Sequence, residues 1–173
     1  MYGSSDPHLS LLVNSFSNFS DVEKEVLSIV KKHKPFFAKI EGLHTFPYDP
    51  IFKANTIVYK VEKTRALANI QKELVTKING LRTNDQVKWL LEQNPNQSKE
   101  NIKNIRKYGY PYSPKDWVFH ASVGSVSKEH YEEIWKEIQK YDLSKIWRVN
   151  NISIFILLGD DGHKLFKKYK LSG

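Results

Sequence analysis

Two His-x-Ser triplets, His8-Leu9-Ser10 and His120-Ala121-Ser122, are the residues of this chain whose types and spacing could do chemistry. In an extended segment successive side chains alternate faces, so a histidine and a serine two positions apart point the same way. Both triplets stand in apolar runs, His8–Val13 and Val118–Val123, and each is expected to be a strand. The plainer reading of either is a satisfied core pair. Turned toward one cleft, however, the two would supply two imidazoles and two hydroxyls. Imidazole titrates near neutral pH, so one ring can be neutral while the other is protonated. That suits attack of water on a cyclic phosphodiester: one ring takes the proton of water and the other protonates the departing ribose oxygen. Ser10 and Ser122 would donate hydrogen bonds to the phosphoryl oxygens as charge builds there.

Other chemistries have less support. No acidic cluster and no glycine-rich phosphate loop accompany the histidines, which argues against a two-metal nuclease and a P-loop enzyme. No serine stands on a nucleophile elbow. The chain has no cysteine, so there is no disulfide framework and no thiolate metal site. The expectation is a site with no metal and no cofactor. The other four histidines, His33, His44, His130 and His163, lack the pattern.

The elements that must position these groups can be read in order. A polar lead, Met1–Asp6, precedes Pro7 and the first strand, His8–Val13. Ser20 is expected to cap a helix with Glu23 completing a capping box, and Val22, Val26, Leu27, Ile29 and Val30 give its apolar stripe. Phe36–Ile40 and Leu43–Phe46 are strands with a turn or bulge at Gly42. Thr56–Val61 alternates as a strand, and Leu67–Ile78 is a helix stopped by Gly80. Asp85–Gln93 and Lys99–Lys107 are short polar helices. Tyr108–Pro114 is an aromatic loop leading into the second strand, Asp116–Gly124. Ser127 is expected to cap a helix carrying Tyr131, Ile134, Trp135 and Ile138. Strands at Ile146–Val149, Ile152–Leu158 and Leu165–Leu171 follow, the last two joined by a hairpin turn at Asp160-Asp161-Gly162. Each triplet is thus followed by a capped helix and further strands. A duplicated β-α-β-β unit follows from this, with each copy presenting its triplet to a shared groove.

With 173 residues the chain can form one domain or two small lobes sharing a cleft. Its net charge of +8 fits either an anionic partner or a solvated lysine-rich surface. Lys31, Lys32 and Lys34 and the tail lysines Lys164, Lys167, Lys168 and Lys170 are candidates to track a phosphate backbone. No signal peptide is evident, and the longest apolar run, near Ile152–Leu158, has strand length. A cytoplasmic protein with no membrane partner is expected.

The motifs and their order resemble the 2H phosphoesterases, the 2′-5′ RNA ligase-like or cyclic phosphodiesterase superfamily. Pro7-His8-Leu9-Ser10-Leu11 resembles the first His-x-Ser/Thr motif and Phe119-His120-Ala121-Ser122-Val123 the second. Gly42-Leu43-His44-Thr45-Phe46-Pro47, then Thr56–Val61 with the helix after Thr64, and the run Val149–Leu171, are similar to the family's remaining segments. The resemblance implies one bilobal α+β domain over residues 1–173. Two antiparallel sheets would flank a central cleft with helices outside, and residues 80–115 would be an insertion. It implies His8 and His120 as the acid/base pair and Ser10 and Ser122 as phosphate-binding residues, without metal. It also implies a substrate carrying a 2′,3′-cyclic phosphate or a 2′-5′ linkage, in RNA or a nucleotide. The family places a strand and helix before its first motif, whereas seven residues precede His8 here, so a truncated or reduced first lobe is expected. Tyr110, Tyr112 and Trp117 are candidates to stack on a base. A monomer is expected. Two alternatives remain open at this point: an RNA-binding module without turnover, and an enzyme degrading 2′-5′ oligoadenylate or a cyclic dinucleotide in host–pathogen conflict.

Overall fold

The structure is a computed structural model describing residues 8–49, 54–93, 95–141, 145–157 and 162–173. Asn18 opens the first helix, α1 (Phe19–Val30). Its side-chain oxygen accepts the backbone N–H groups of Ser20 and Asp21, and its amide donates to the Asp21 carboxylate. The cap is therefore Asn18 and not Ser20, which already lies inside the helix; asparagine offers an equally good acceptor. Val22, Val26, Ile29 and Val30 form the buried face of α1. It packs on α2 (Arg65–Ile78), whose Thr64 hydroxyl accepts the Leu67 N–H and whose Ile70, Leu74 and Ile78 enter the same cluster.

Four strands, β1 (Phe36–Asp49), β2 (Ala54–Val61), β3 (His120–Val126) and β4 (Ile146–Val149), make one antiparallel sheet in the order β3-β2-β1-β4. A second sheet is the antiparallel pair β5 (Asn151–Leu157) and β6 (His163–Lys170). Among the described residues there are three further α-helices: α3 (Asp85–Gln93), α4 (Lys99–Tyr108) and α5 (Tyr131–Ile138). The expected α+β class with two antiparallel sheets is what the chain adopts. The Asp160-Asp161 turn and Met1–Pro7 lie outside the described residues.

Two apolar clusters hold these layers. One joins α1, α2 and the second sheet through Ile152, Tyr169 and Leu171. The other joins Ala38, Val61, Leu67, Trp117 and Phe119 on the inner face of the first sheet. Leu11, Phe36 and Val149 touch both. β1 spans the join: Phe36–Lys39 pairs with β4, and the stretch from Ile40 onward pairs with β2.

Three expectations need correction. Residues 8–15 form no strand. Their alternating leucines do not face a sheet partner; Leu9 and Leu11 pack on the sheet cluster, Leu11 and Leu12 on the helical one. The second motif's strand begins at His120 and not at Asp116, because Trp117 and Phe119 turn into the core before the ladder with β2 starts. The sheets, four-stranded and two-stranded, are accordingly not two copies of one unit, and the symmetric duplication is not found.

α4 is docked by its C-terminal end. The last-turn carbonyls of an α-helix lack intrahelical partners. Here the Arg82 guanidinium donates to the Arg106 carbonyl at 2.7 Å, the Asn79 amide to Lys107 at 2.8 Å and the Asn14 amide to Tyr108 at 3.0 Å. Gly109 ends the helix at φ +74°, and a Cβ there would stand 2.1 Å from the Asn14 side-chain oxygen. Gly109→Ala is therefore expected to cost at least about 1 kcal/mol from the left-handed backbone alone and to displace Asn14 from Tyr108. Urea unfolding with hydrogen exchange on α4 checks this: reduced protection confined to α4 and Tyr110–Tyr112 is the expected pattern.

Candidate active site

The site is built on the face of the first sheet opposite the Val61–Phe119 core. In an antiparallel ladder directly opposed residues project to the same side. Gly42, Lys60 and His120 form one row across β1, β2 and β3, and His44, Val58 and Ser122 form the next. Phe119 and Ala121 are buried on the core side, which leaves His120 and Ser122 on the cleft side, as their spacing implies. Phe46 lies on the same face; its ring meets His120 edge-on with centroids 4.9 Å apart and meets His44 at 5.3 Å. Val58, between His44 and Ser122 in the register, is wholly buried.

His120 is fixed by more than packing. Its Nδ1–H donates to the Val118 carbonyl at 2.8 Å, since a carbonyl can only accept. In the neutral ring the free lone pair is then on Nε2. Burial pushes the pKa of His120 below the ordinary histidine value; the Val118 bond and the Asp49 charge oppose this, and the charges of His44 and His8 add to it. His8 and His120 are thus within electrostatic reach of one another, although they come from opposite ends of the chain.

A directed contact over a hydrophobic seat joins the two motif segments. The Trp117 indole N–H donates to the Ser10 carbonyl at 3.2 Å, 107 positions away in sequence. Leu9 and Leu11, on either side of Ser10, pack on the cluster that holds Trp117 and Phe119. The His8 ring stacks on Phe155 of β5 with centroids 5.3 Å apart and meets His163 of β6 edge-on at 5.2 Å. Ser10 is half-buried and Ser122 exposed.

The three aromatic stacking candidates differ in exposure. Trp117 is 7% exposed, with its indole N–H bound to Ser10. Tyr110 lies 5.0 Å from the Trp117 ring; burial raises its hydroxyl pKa well above the ordinary range, with Asp49 and Tyr112 adding to this. Tyr112, 47% exposed and 6.0 Å from Tyr110, has the open ring.

Sequence reading assigned no role to Phe46, His44, Asp49, Phe155 or His163. Counting by twos from Gly42 would have placed His44 and Phe46 on one face. Asp49 and the β5–β6 pair had no such local signal. Among the described residues no group of three or more His, Cys, Asp or Glu side chains is placed to hold a metal ion, and no helix is long and apolar enough to cross a membrane.

The segments bearing the two motifs meet at the Trp117–Ser10 bond, and comparison with known families gives the class of protein. Residues 1–161 match the model of the 2'-5' RNA ligase superfamily. The chain belongs to this superfamily, which is that of the 2H phosphoesterases. Its members are phosphoesterases or ligase-type enzymes, and the family points to RNA or nucleotide substrates. No curated protein matches the chain.

Trp117→Phe keeps the ring in the core and removes the bond to Ser10. The expected loss is about 1 kcal/mol, the usual net worth of a hydrogen bond, with an unchanged m-value in urea unfolding. The imidazole NMR signals of His8 should shift with it, while His33, bound to Glu73 at 2.9 Å on another surface, should not respond.

Proposed function

We propose that the protein is a metal-independent phosphodiesterase that opens a 2′,3′-cyclic phosphate or cleaves a 2′-5′ phosphodiester in RNA or a nucleotide, with His8 and His120 as its acid/base pair. The carrying observation is that Leu9 and Phe119, the neighbours of His8 and His120, pack in one cluster, while the half-buried His120 ring donates through Nδ1 to Val118, which leaves Nε2 as the free nitrogen of its neutral form; the lowered pKa of His120 favours that form. That makes His120 the base. Its Nε2 takes a proton from water as the water oxygen bonds to phosphorus. The ribose oxygen leaves as its bond to phosphorus breaks, and protonated His8 supplies its proton. Ser10 and Ser122 donate to the non-bridging oxygens, whose charge grows along this path. Tyr112 offers the exposed ring on which a base can stack. The whole chain acts as one bilobal unit, with residues 80–115 as an insertion, and works as a monomer.

The test is turnover of 2′,3′-cyclic mononucleotides, 2′-5′ oligoadenylate and cyclic dinucleotides by the folded protein. His8→Ala and His120→Ala should each cost on the order of a hundredfold or more. The double variant should cost far less than the product, because the pair acts as a unit. Ser10→Ala and Ser122→Ala should be milder, since proton transfer survives in both. A His8→Ala variant with wild-type turnover sinks the two-histidine mechanism.

The pH dependence follows from the direction of the His120 shift. The base must be neutral, and a lowered pKa keeps it neutral further into acid. The acidic limb of kcat/KM should therefore fall below the ordinary histidine value of about 6.5. Removing burial with Phe46→Ala should move that limb upward. A limb at or above the ordinary value in the parent contradicts the assignment of His120 as base.

Chelation tests the remaining element. Turnover should be unchanged by EDTA; loss in EDTA with recovery on adding a divalent ion rejects the metal-independent path.

A further inference from the structure

We infer that the exposed face of α4 binds the sugar–phosphate backbone of a single-stranded oligonucleotide whose reacting end lies in the cleft, so that polynucleotide ends are preferred over mononucleotides. This rests on the proposed phosphodiesterase reading and adds to it the size of the substrate. Lys99, Lys103 and Lys107 recur at intervals of four, and Arg106 stands beside the last of them; all four are exposed. Residues four apart share a helix face. Eight residues of helix rise about 12 Å, so the row is longer than one phosphodiester unit. None of the four cations makes an ion pair among the described residues, whereas Lys60, Lys77, Lys140 and Lys167 all do. A shallow hollow of about 390 Å³ runs along the row, lined by Lys99, Glu100, Lys103, Asn104, Lys107 and Tyr108. Glu100 is the one acidic group there.

The position of the row points to its ligand. Asn104 donates to the Pro111 carbonyl in the loop that holds Tyr110 and Tyr112. Tyr108 is tied by Asn14 to the segment bearing His8 and Ser10. The C-terminal end of the basic face thus adjoins the loop that holds Tyr112 and the Asn14 end of the segment that carries the first motif. A base on Tyr112 and phosphates on successive lysines form one path. Phosphate contacts of this kind bind without reading sequence.

The experiment uses the full chain and the variant K99Q/K103Q/K107Q, whose changes lie on an exposed helix face. Two measurements are made: fluorescence-anisotropy affinity for a short single-stranded RNA ending in a 2′,3′-cyclic phosphate across a salt series, and kcat/KM for that RNA and for a 2′,3′-cyclic mononucleotide. The expected result is a loss of RNA affinity of roughly tenfold or more. The log–log salt slope should flatten by about 2, at roughly 0.7 per phosphate contact on a single strand. Mononucleotide kcat/KM should be unchanged. Unaltered RNA affinity overturns the inference, as does an equal fall in mononucleotide turnover. So does a parent protein that binds anionic phosphatidylserine vesicles through these lysines and not RNA. If the parent binds RNA through this face yet turns over neither substrate, the basic face stands and the catalytic reading falls.

Discussion

The seating of residues 8–15 beside the second motif is the constraint on which the site depends. A segment without a strand partner has no ladder to set its register. Leu9, Leu11 and Leu12 hold residues 8–15 against two apolar clusters, but hydrophobic contact is non-directional and would tolerate sliding. Directed bonds remove that freedom: the Thr83 N–H donates to the Ser15 carbonyl at 2.8 Å, the Asn14 amide to the Tyr108 carbonyl at 3.0 Å and, nearest the first motif, the Trp117 indole to the Ser10 carbonyl at 3.2 Å. The net energy of the last is about 1 kcal/mol, small beside the burial of Phe119 or Leu67. Its value is positional: it places Ser10, and with it His8, relative to the strand that begins three residues after Trp117.

The two histidines then receive unequal surroundings. His120 stands at the start of a paired strand, half-buried under Phe46, with Nδ1 committed to a backbone carbonyl. His8 sits between an aromatic ring and another imidazole on the second sheet. The acid/base roles proposed for His8 and His120 need surroundings that differ. An asymmetric fold provides this more readily than the symmetric duplication suggested by the repeated triplet. Two equivalent strands would have given two equivalent rings.

The legible parts of the sequence were those governed by local rules. α3 runs over Asp85–Gln93 as its periodicity implies, and α2 (Arg65–Ile78) follows Thr64 and carries the Leu67–Ile78 stripe. The same-face placement of His120 and Ser122 follows from the period of a strand. Misreadings arose where one pattern has two causes. Leu9-Ser10-Leu11 alternates like a strand because each leucine meets a core, with no neighbouring strand involved. Val118-Phe119 looks like strand interior, yet Phe119 is a wholly buried core residue placed before the ladder. Asp49, Phe155 and His163 reach the site only through tertiary pairing across the sheets, which no local window encodes.

One backbone irregularity explains why a single strand can serve both the core and the cleft. Up to Ile40, β1 turns Ala38 and Ile40 inward, in line with Val61. If strict alternation continued, Gly42 and His44 would follow them into the core, and Leu43 and Thr45 would face the cleft. The register shifts between Ile40 and Gly42, leaving Glu41 unmatched, and an extra residue of this kind reverses the side to which everything after it points. Gly42 sits at φ +144°, a conformation that L side chains rarely adopt, so the reversal is affordable only at a glycine. Beyond it His44 and Phe46 line the cleft, while Thr45 turns back to bond the Tyr131 hydroxyl of α5 at 2.8 Å. The ring that buries His120, and so biases it toward the neutral form, is on the correct side of the sheet because of that one bulge.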